Sequence, residues 1–358
     1  DSVEDMDLIS DPSQRKIVNY FLEQYKQVCA DPLRKLPKQI IHNDLNDWNV
    51  LVSDNEIKGI IDFGDLCYAP KICDLAIAMA YLLLDTPTPL IRAVDLIEGY
   101  LSIQKLDEKE IELLYYLIPA RLCVSVISSN KERSQGNTED YIFVTEHKAW
   151  ALLSKWFEMN PILFKNSLMK PLGFQQLNSL PTLISKRKKH LSSALSLSFD
   201  DPIHMTSAAF QYMYAANGDT YLDAYNNIPH VGHCHPEVTQ AAARQINKLN
   251  TNTRYLYEAL MGYSERLLKY FPHTLDKVIF VNSGSEASDL AIRMAQNHTS
   301  NKHILVLADG YHGHTRMGID ISAYKFDGKG GNGVNENITV LPLPKIYQGL
   351  QSSGKAYA

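Results

Sequence analysis

The sequence predicts two domains, of the α/β and α+β classes. Its 358 residues exceed the length of one ordinary domain. Up to about residue 160, short β-rich runs precede a series of helical patterns, and after about residue 205 helical and β-rich runs alternate. The stretch between them is rich in Pro, Ser, Lys and Leu and has weak periodicity. We therefore place the boundary near residue 180, which gives domains at 1–180 and 181–358.

The first domain begins with an amphipathic helix at 15–29, where apolar side chains recur at helical spacing. Strand patterns follow at 39–41, 50–52 and 59–61. The first strand leads into a polar loop at 42–49, and Ser53-Asp54-Asn55 is a turn signal between the other two. Helical patterns then cover 72–84, 89–103, 107–129 and 139–158.

The second domain begins with a predicted hairpin at 212–225, whose turn is Asn217-Gly218-Asp219. Helices are predicted at 236–248, 258–270 and 286–297, and strands at 277–281 and 303–307. This alternation is typical of a layered α/β domain.

Composition excludes several classes of protein. Hydrophobic residues make up 45% and charged residues 21%, which is globular composition. With a net charge of −5, no basic field attracts nucleic acid or an anionic membrane. The longest clean apolar run, 75–84, is far shorter than the ~20 residues of a membrane span. Five scattered cysteines without a CxxC pair predict reduced thiols, and the acidic N-terminus is unlike a signal peptide. We therefore expect a cytoplasmic protein.

A first group of polar residues has the pattern of a phosphoryl-transfer site. The loop His42-Asn43-Asp44-Leu45-Asn46-Asp47-Trp48-Asn49 lies between two β-rich runs, and Asp62-Phe63-Gly64-Asp65 follows the next run. Phosphoryl transfer needs a carboxylate that orients the attacking hydroxyl and oxygen ligands for Mg²⁺. We predict Asp44 as the catalytic base and Asn49 and Asp62 as metal ligands. The alternative is that these residues only cap helices and turns, and His42 fits a supporting role.

This region resembles the C-terminal lobe of aminoglycoside phosphotransferase and choline-kinase-like enzymes over roughly residues 15–160, and most of all the hydroxylysine-kinase branch. The resemblance implies ATP and Mg²⁺ as cofactors and a small-molecule acceptor. No Gly-rich strand pair precedes the loop. We therefore expect the nucleotide-binding lobe to be absent from this chain.

A second group of residues has the pattern of a phosphate cup. The β-rich run 278–281 leads through Asn282-Ser283-Gly284-Ser285-Glu286 into a helix. Unpaired backbone N–H groups and the helix dipole make such a start an anion site, although an ordinary N-cap uses the same residues. The second element is Gly310-Tyr311-His312-Gly313-His314, in which Tyr311 could offer a flat face to a heteroaromatic cofactor. The alternatives are a packed core tyrosine and, for the histidines, a metal site without an evident third ligand. For His230, His233 and His235 we favour a turn before a helix.

Four motifs in order resemble class III aminotransferases, which are dimeric fold type I enzymes that use pyridoxal 5′-phosphate (PLP). They are Tyr221-Leu222-Asp223, Val231-Gly232-His233-Cys234-His235-Pro236, Asn282-Ser283-Gly284-Ser285-Glu286-Ala287 and Tyr311-His312-Gly313-His314. Residues 249–255 and 321–326 resemble the ethanolamine-phosphate and phosphohydroxylysine phospho-lyase subgroup best. The resemblance covers about 182–350.

The resemblance implies roles for individual residues. Ser283, Gly284 and Ser285 would hold the PLP phosphate, Tyr311 would stack on the pyridine ring and His312 would support that loop. The stretch 251–254 would lie near the substrate. The family's Asp-Glu-Val-Gln-type motif and its Schiff-base lysine do not occur in these residues. We therefore expect the chain to hold only the N-terminal part of the aminotransferase.

The combined expectation is a PLP-dependent enzyme, fused behind an amino-alcohol kinase, that removes phosphate from a phosphorylated amino alcohol. Its partners would be a small amino substrate and, in the complete protein, a second copy in a homodimer. The alternatives are an ordinary transaminase and a truncated, non-catalytic binding or scaffold protein.

Overall fold

The computed structural model describes residues 4–137, 143–172, 180–225 and 230–343. The chain divides into two units, Asp1–Asn250 and Thr251–Ala358. Residues 205–250 thus pack with the N-terminal part, although their sequence motifs resemble the aminotransferase. Compactness and family origin are different properties, so the boundary near residue 180 stays a prediction about family origin.

The first unit contains most of the helices. Its α-helices are α1 (Pro12–Gln24), α2 (Ala30–Lys35), α3 (Lys71–Leu82), α4 (Pro89–Leu101), α5 (Glu108–Ser134), α6 (Glu146–Trp156), α7 (Pro161–Met169), α8 (Leu180–His190) and α9 (Pro236–Lys248). A π-helical segment, Tyr25–Cys29, joins α1 to α2. The predicted helices at 72–84, 89–103, 107–129 and 236–248 are confirmed. The predicted start of α6 at 139 lies outside the described residues.

Four short strands build the region of the Asp44 loop. They are β1 (Lys38–Ile41), β2 (Val50–Ser53), β3 (Glu56–Ile60) and β4 (Cys67–Pro70). β2 and β3 pair antiparallel around the predicted turn, where Asp54 and Asn55 adopt φ values of 53° and 60° that suit a tight turn. β4 pairs antiparallel with β1. The sequence pattern missed β4.

Helix α5 is the centre of the first unit. It has 27 residues, and its length and composition would allow it to cross a membrane. However, 61% of its apolar 18-residue stretch is buried inside the protein. Its first turn carries a capping box between Asp107 and Glu110. A helix that buries side chains all around its axis is typical of the core of a large domain. We therefore identify α5 as a core helix.

The predicted hairpin of the second family segment is confirmed and packs on this core. The strands β5 (Met205–Ala209), β6 (Tyr212–Ala215) and β7 (Thr220–Leu222) form an antiparallel sheet. Tyr214 is buried, and its hydroxyl donates to the carbonyl of Phe157 at 2.7 Å. Phe210 lies 5.1 Å from the Phe157 ring and 5.2 Å from the Tyr20 ring. Aromatic packing therefore joins the sheet to the helices.

Asn160 supplies a polar link between the same two parts, and its loss is expected to destabilise the unit. Its amide nitrogen donates to the carbonyls of Ala215 and Asp219, both at 2.8 Å, and its oxygen caps α7. Asn160→Ala should lower the free energy of unfolding by about 3 kcal/mol, since a cap and two buried hydrogen bonds are lost. Asn160→Asp keeps the cap but places a buried carboxylate oxygen against the carbonyls of Ala215 and Asp219, so it should lose at least about 3 kcal/mol. Urea unfolding measures both values, and wild-type stability of Asn160→Asp would contradict this account.

The second unit holds α10 (Glu258–Leu268), α11 (Gly284–Thr299), α12 (Arg316–Asp320) and α13 (Ala323–Phe326). Its strands β8 (Ile304–Leu307) and β9 (Ile338–Leu341) pair in parallel. A small core lies between them, made of Val306, Ile321, Ala323, Phe326 and Ile338. The predicted helices at 258–270 and 286–297 and the strand at 303–307 are confirmed. With both helices and strands in each unit, the fold class is confirmed.

The strand predicted at 277–281 is not formed in the described part of the chain. These residues pair with none of the described strands. Alternation of apolar residues favours an extended backbone, but a strand also needs a neighbour that accepts and donates its hydrogen bonds.

Candidate active sites

Asp44 lies in a loop between β1 and β2 that local hydrogen bonds hold in place. The Asn46 side-chain oxygen accepts from the backbone N–H groups of Trp48 and Asn49 at 2.9 and 3.2 Å, which fixes the turn into β2. The backbone of Asn43 has a φ of 66° and donates to Asp74 at 2.9 Å. These bonds give the loop one defined path.

Both oxygens of the Asp44 carboxylate are hydrogen-bonded. Oδ1 accepts from Nη2 of Arg121 at 2.6 Å. Oδ2 accepts from Asn46 at 3.0 Å and from Asn49 at 3.2 Å. The Asn49 amide nitrogen also donates to the carbonyl of Asp44 at 2.8 Å. The structure thus brings Asp44 and Asn49 together, and it directs the nitrogen of Asn49, rather than its oxygen, to Asp44.

The loop that carries Asp62 is a neighbour of this arrangement. The backbone N–H of Ile61, the residue before Asp62, donates to the carbonyl of Asn49 at 3.0 Å. His42 contacts the carbonyl of Ile61 at 2.8 Å and packs 5.2 Å from the Phe63 ring, which agrees with the supporting role predicted for it. Asp62 is exposed and has a φ of 63°. An amide oxygen and a carboxylate are ligands that Mg²⁺ accepts together with water and ATP phosphates. The metal-ligand assignment of Asn49 and Asp62 stays a prediction.

Arg121 is the residue of this site that sequence reasoning missed. It lies in α5, and its Nη2 also contacts the Tyr81 hydroxyl at 2.8 Å. A signal was present, because an arginine in the middle of the apolar run from Leu117 to Val126 would be costly in a core without a partner. The partner itself, 77 positions earlier in the chain, could not be read from the sequence.

In the second unit, the turn at Ser283 starts helix α11 as the motif predicts. Ser283 is the N-cap, and its Oγ accepts from the backbone N–H of Glu286 at 3.2 Å. The Glu286 carboxylate in turn accepts from the backbone N–H of Asn282 at 2.7 Å. A Cβ at Gly284 would meet no atom within 4 Å. The first turn of α11 therefore has open space beside it.

The loop with Tyr311 packs directly on this helix start. A Cβ placed on Gly313 would lie 2.7 Å from Cα of Ser285, so only glycine allows the approach. The backbone N–H of His314 donates to Oγ of Ser285 at 3.0 Å. The backbone N–H of His312 donates to the buried hydroxyl of Ser322 at 2.8 Å. The two predicted motifs are thus neighbours in space.

Tyr311 extends outward from this loop. Its side chain is 54% exposed, so it is not a packed core aromatic. Its ring meets the Tyr324 ring edge to face, with 6.2 Å between centroids, and Nζ of Lys325 lies 5.7 Å from its centroid. Nε2 of His312 is buried without a hydrogen-bond partner. An exposed ring beside an open helix N-terminus fits a flat cofactor with a phosphate group.

The histidines near residue 233 form a turn, as the sequence predicts. His233 forms an isolated bridge with Phe210, and its Nε2 lies 2.8 Å from a carboxylate oxygen of Asp223. Helix α9 then begins at Pro236. Within the described ranges, no group of three or more His, Cys, Asp or Glu side chains could hold a metal ion.

Comparison with known proteins finds a family match for each of two segments of the chain. Residues 10–110 match the phosphotransferase enzyme family and residues 198–353 match the class III aminotransferases. Asp44, Asn49 and Asp62 fall within the first match, and Ser283 to Ser285, Tyr311 and His312 within the second.

Individual relatives match the second half of the chain. The chain is 38% identical over 187 residues to an alanine–glyoxylate aminotransferase 2-like protein of Drosophila melanogaster, covering 52% of this chain and 38% of that protein. It is 34% identical over 187 residues to ethanolamine-phosphate phospho-lyase homolog 1 of Caenorhabditis elegans, covering 52% of this chain and 40% of that protein. The chain therefore spans about two fifths of the length of these relatives.

A solved structure is also similar. It is a phospholyase from Arthrobacter in complex with phosphoethanolamine, with 33% identity and a TM-score of 0.43, covering 46% of this chain and 38% of that one. By the family models, residues 10–110 are similar to the phosphotransferase enzyme family and residues 198–353 to the class III aminotransferases.

Proposed function

We propose that the protein containing this chain is a PLP-dependent phospho-lyase that acts on a phosphorylated amino alcohol, and that its phosphotransferase segment makes this substrate. The observation that carries the proposal is the packing of the Tyr311 loop on the start of α11 through Gly313 and Ser285. The name of the Caenorhabditis elegans relative supports phosphate elimination.

Several residues of the second unit would each make a different contact with PLP. The backbone N–H groups of Gly284 and Ser285 would donate to a phosphate at the helix start. The Ser285 hydroxyl accepts from the backbone N–H of His314 and could donate its own proton to a phosphate oxygen. Ser283 fixes the helix start, Tyr311 would cover one face of the pyridine ring and His312 would support the loop. When bound, PLP supplies an electron sink that stabilises negative charge on the amine-bearing carbon.

The phosphotransferase segment supplies a candidate base and candidate metal ligands for the phosphorylation of an alcohol. Asp44 would orient the acceptor hydroxyl and accept its proton, while Asn49 and Asp62 would hold Mg²⁺, which would neutralise charge on the phosphates of ATP. In the protein that contains this chain, the complete aminotransferase with its Schiff-base lysine would then remove a proton from the amine-bearing carbon and expel the vicinal phosphate. With one water, the overall products are an aldehyde, ammonia and inorganic phosphate.

Release of phosphate tests this function. The full-length protein, loaded with PLP, is incubated with phosphoethanolamine or with O-phospho-5-hydroxylysine. We expect inorganic phosphate and an aldehyde to form in equal amounts without a keto acid. No phosphate from either compound would refute the proposal.

The second candidate is ordinary transamination, which the name of the Drosophila melanogaster relative favours. It predicts formation of alanine or glutamate that depends on an added keto acid, with no phosphate released. The third is a non-catalytic binding protein. Reading the transcript past Ala358 separates this case, because a Schiff-base lysine downstream is required for either activity.

A homodimer in the cytoplasm is part of the same proposal. Fold type I active sites form at a subunit interface, and the composition of the chain favours neither nucleic acid nor membrane partners. Sedimentation of the full-length protein tests the dimer, and a monomer with full activity would contradict it.

A further inference from the structure

The carboxylate of Asp44 is tied to the helical core at one point. Two of its hydrogen-bond donors, Asn46 and Asn49, belong to the same loop as Asp44, so they move with it. Among the described residues, Arg121 is the only donor to this carboxylate from outside the loop, and its Nη2 lies 2.6 Å from Oδ1. Because Arg121 lies in the middle of α5, this bond fixes the carboxylate relative to the core.

The guanidinium of Arg121 is itself held in place by α3. Its Nη2 also donates to the hydroxyl of Tyr81 at 2.8 Å, and the Tyr81 ring lies 5.4 Å from Cζ of Arg121. A guanidinium is a rigid plane, so these contacts leave it little freedom. The direction of the bond to Asp44 is therefore set by two core helices rather than by the loop.

The hydrogen bonds of Asp44 leave one position for a further donor. A carboxylate has about two lone-pair positions on each oxygen. The described residues fill both positions on Oδ2, through Asn46 and Asn49, and one on Oδ1, through Arg121. The open position is the second one on Oδ1, where an acceptor hydroxyl can donate. Arg121 therefore binds the same oxygen that is available to the reacting proton.

The ion pair between Arg121 and Asp44 is a poor source of stability. The two side chains are 26% and 22% exposed, so both charges have lost much of their water. The cost of removing charges from water largely offsets their attraction in such pairs. The last torsion of an aspartate side chain is broad, whereas a carboxylate bonded on both oxygens has one orientation. The pair therefore orients Asp44 more than it stabilises the fold.

We propose that Arg121 is a positioning residue of the phosphotransferase segment: held by Tyr81, it orients Asp44 so that Oδ1 meets the acceptor hydroxyl. The O–H bond then breaks with transfer of the proton to Oδ1, while the acceptor oxygen bonds to the γ-phosphorus of ATP and ADP leaves. The inference rests on the proposed phosphotransferase activity with Asp44 as its base. It assigns to Arg121 no contact with the acceptor or with ATP.

Arg121→Met tests the positioning role in the full-length protein. The measurement is ADP formation with 5-hydroxy-L-lysine or ethanolamine, whichever the wild type phosphorylates. We expect kcat to fall at least about tenfold, because a misplacement of about 1 Å can cost about 10²-fold. The KM values for acceptor and ATP should stay within about twofold, since Arg121 binds neither. A normal kcat, or a loss that appears only in KM, would overturn the inference.

A second change at Asp44 and a binding measurement separate positioning from other roles. Arg121 acts only through Asp44, so Arg121→Met should lower kcat no further in a protein that already carries Asp44→Asn. Calorimetric titration should give wild type and Arg121→Met the same affinity for a non-hydrolysable ATP analogue with Mg²⁺. Independent, multiplying effects on kcat, or weaker binding of the nucleotide, would show that Arg121 acts elsewhere.

Conservative variants and a matched control complete the test. Arg121→Lys retains the charge and should recover part of kcat, and Tyr81→Phe should lower kcat by less than Arg121→Met. Arg133 also lies in α5 and pairs with Glu146 at 2.5 Å, so Arg133→Met is the control and should leave kcat within about twofold. If Arg121→Met does not fold, as its melting curve would show, the other two variants decide. Wild-type kcat in both would overturn the inference.

Failure of the wider function gives a different result. If the wild type binds the ATP analogue but forms no ADP with either acceptor, the proposed phosphotransfer is wrong and the inference falls with it. If the wild type is active and Arg121→Met matches it, only the inference is wrong.

Discussion

Replacing Asp44 with asparagine is expected to lower the rate of phosphoryl transfer by the full-length protein by about 10²–10⁴-fold, the usual contribution of a general base. The change removes the proton acceptor but retains the size of the side chain. The fall should appear in kcat, because Asp44 acts on the reacting hydroxyl. The measurement is the rate of ADP formation that depends on the acceptor.

Asp47 provides the matched control, because it is exposed in the same loop and is not among the hydrogen-bond partners of the Asp44 carboxylate. Asp47→Asn should stay within about twofold of wild type, as exposed changes away from a site usually do. Melting curves should show both variants folded. Activity of Asp44→Asn within a few-fold of wild type would rule out this carboxylate as the base and leave the alternative of a loop cap.

The second large effect is expected at Gly313. In Gly313→Ala the new Cβ would lie 2.7 Å from Cα and 3.0 Å from Oγ of Ser285, at a φ of +124°. The loop must then move away from α11 or remain strained, which costs about 2–4 kcal/mol. We expect the affinity for PLP to fall at least about tenfold, because Tyr311 and Ser285 lose their fixed separation.

Absorbance titration with PLP measures the affinity and urea unfolding measures the stability of the same full-length variant. Gly330→Ala is the control, since Gly330 has a φ of +83° but no atom within 4 Å of an added Cβ. It should cost about 1 kcal/mol of backbone strain and leave the affinity for PLP unchanged. Equal behaviour of the two variants would show that the contact with Ser285 is unimportant.

Local patterns accounted for much of the fold. The turn at Asp54-Asn55, the start of α9 at Pro236 and the N-cap at Ser283 each depend on residues within a few positions of one another. Their physical causes are therefore contained in short segments. The strand expected at 277–281 differs, because its ladder requires a distant neighbour.

The same distinction holds for the candidate sites. The spacing of Asp44 and Asn49 and the order of Ser285 and Tyr311 predict two sites, and both pairs of residues lie within the matched family segments. The role of Arg121 was not predicted, because helix α5 carries it to Asp44 only when the core packs.

The sequence by itself determined the local elements, the resemblance to two families and the candidate residues of the two sites. Tertiary structure decided that Arg121 contacts Asp44, that Gly313 packs on Ser285 and that β5–β7 pack with the helical core. The physical reason is the separation, along the chain, of the residues that interact. Caps, turns and periodicity are set by neighbours along the chain, whereas these contacts join residues that only burial of a shared core brings together.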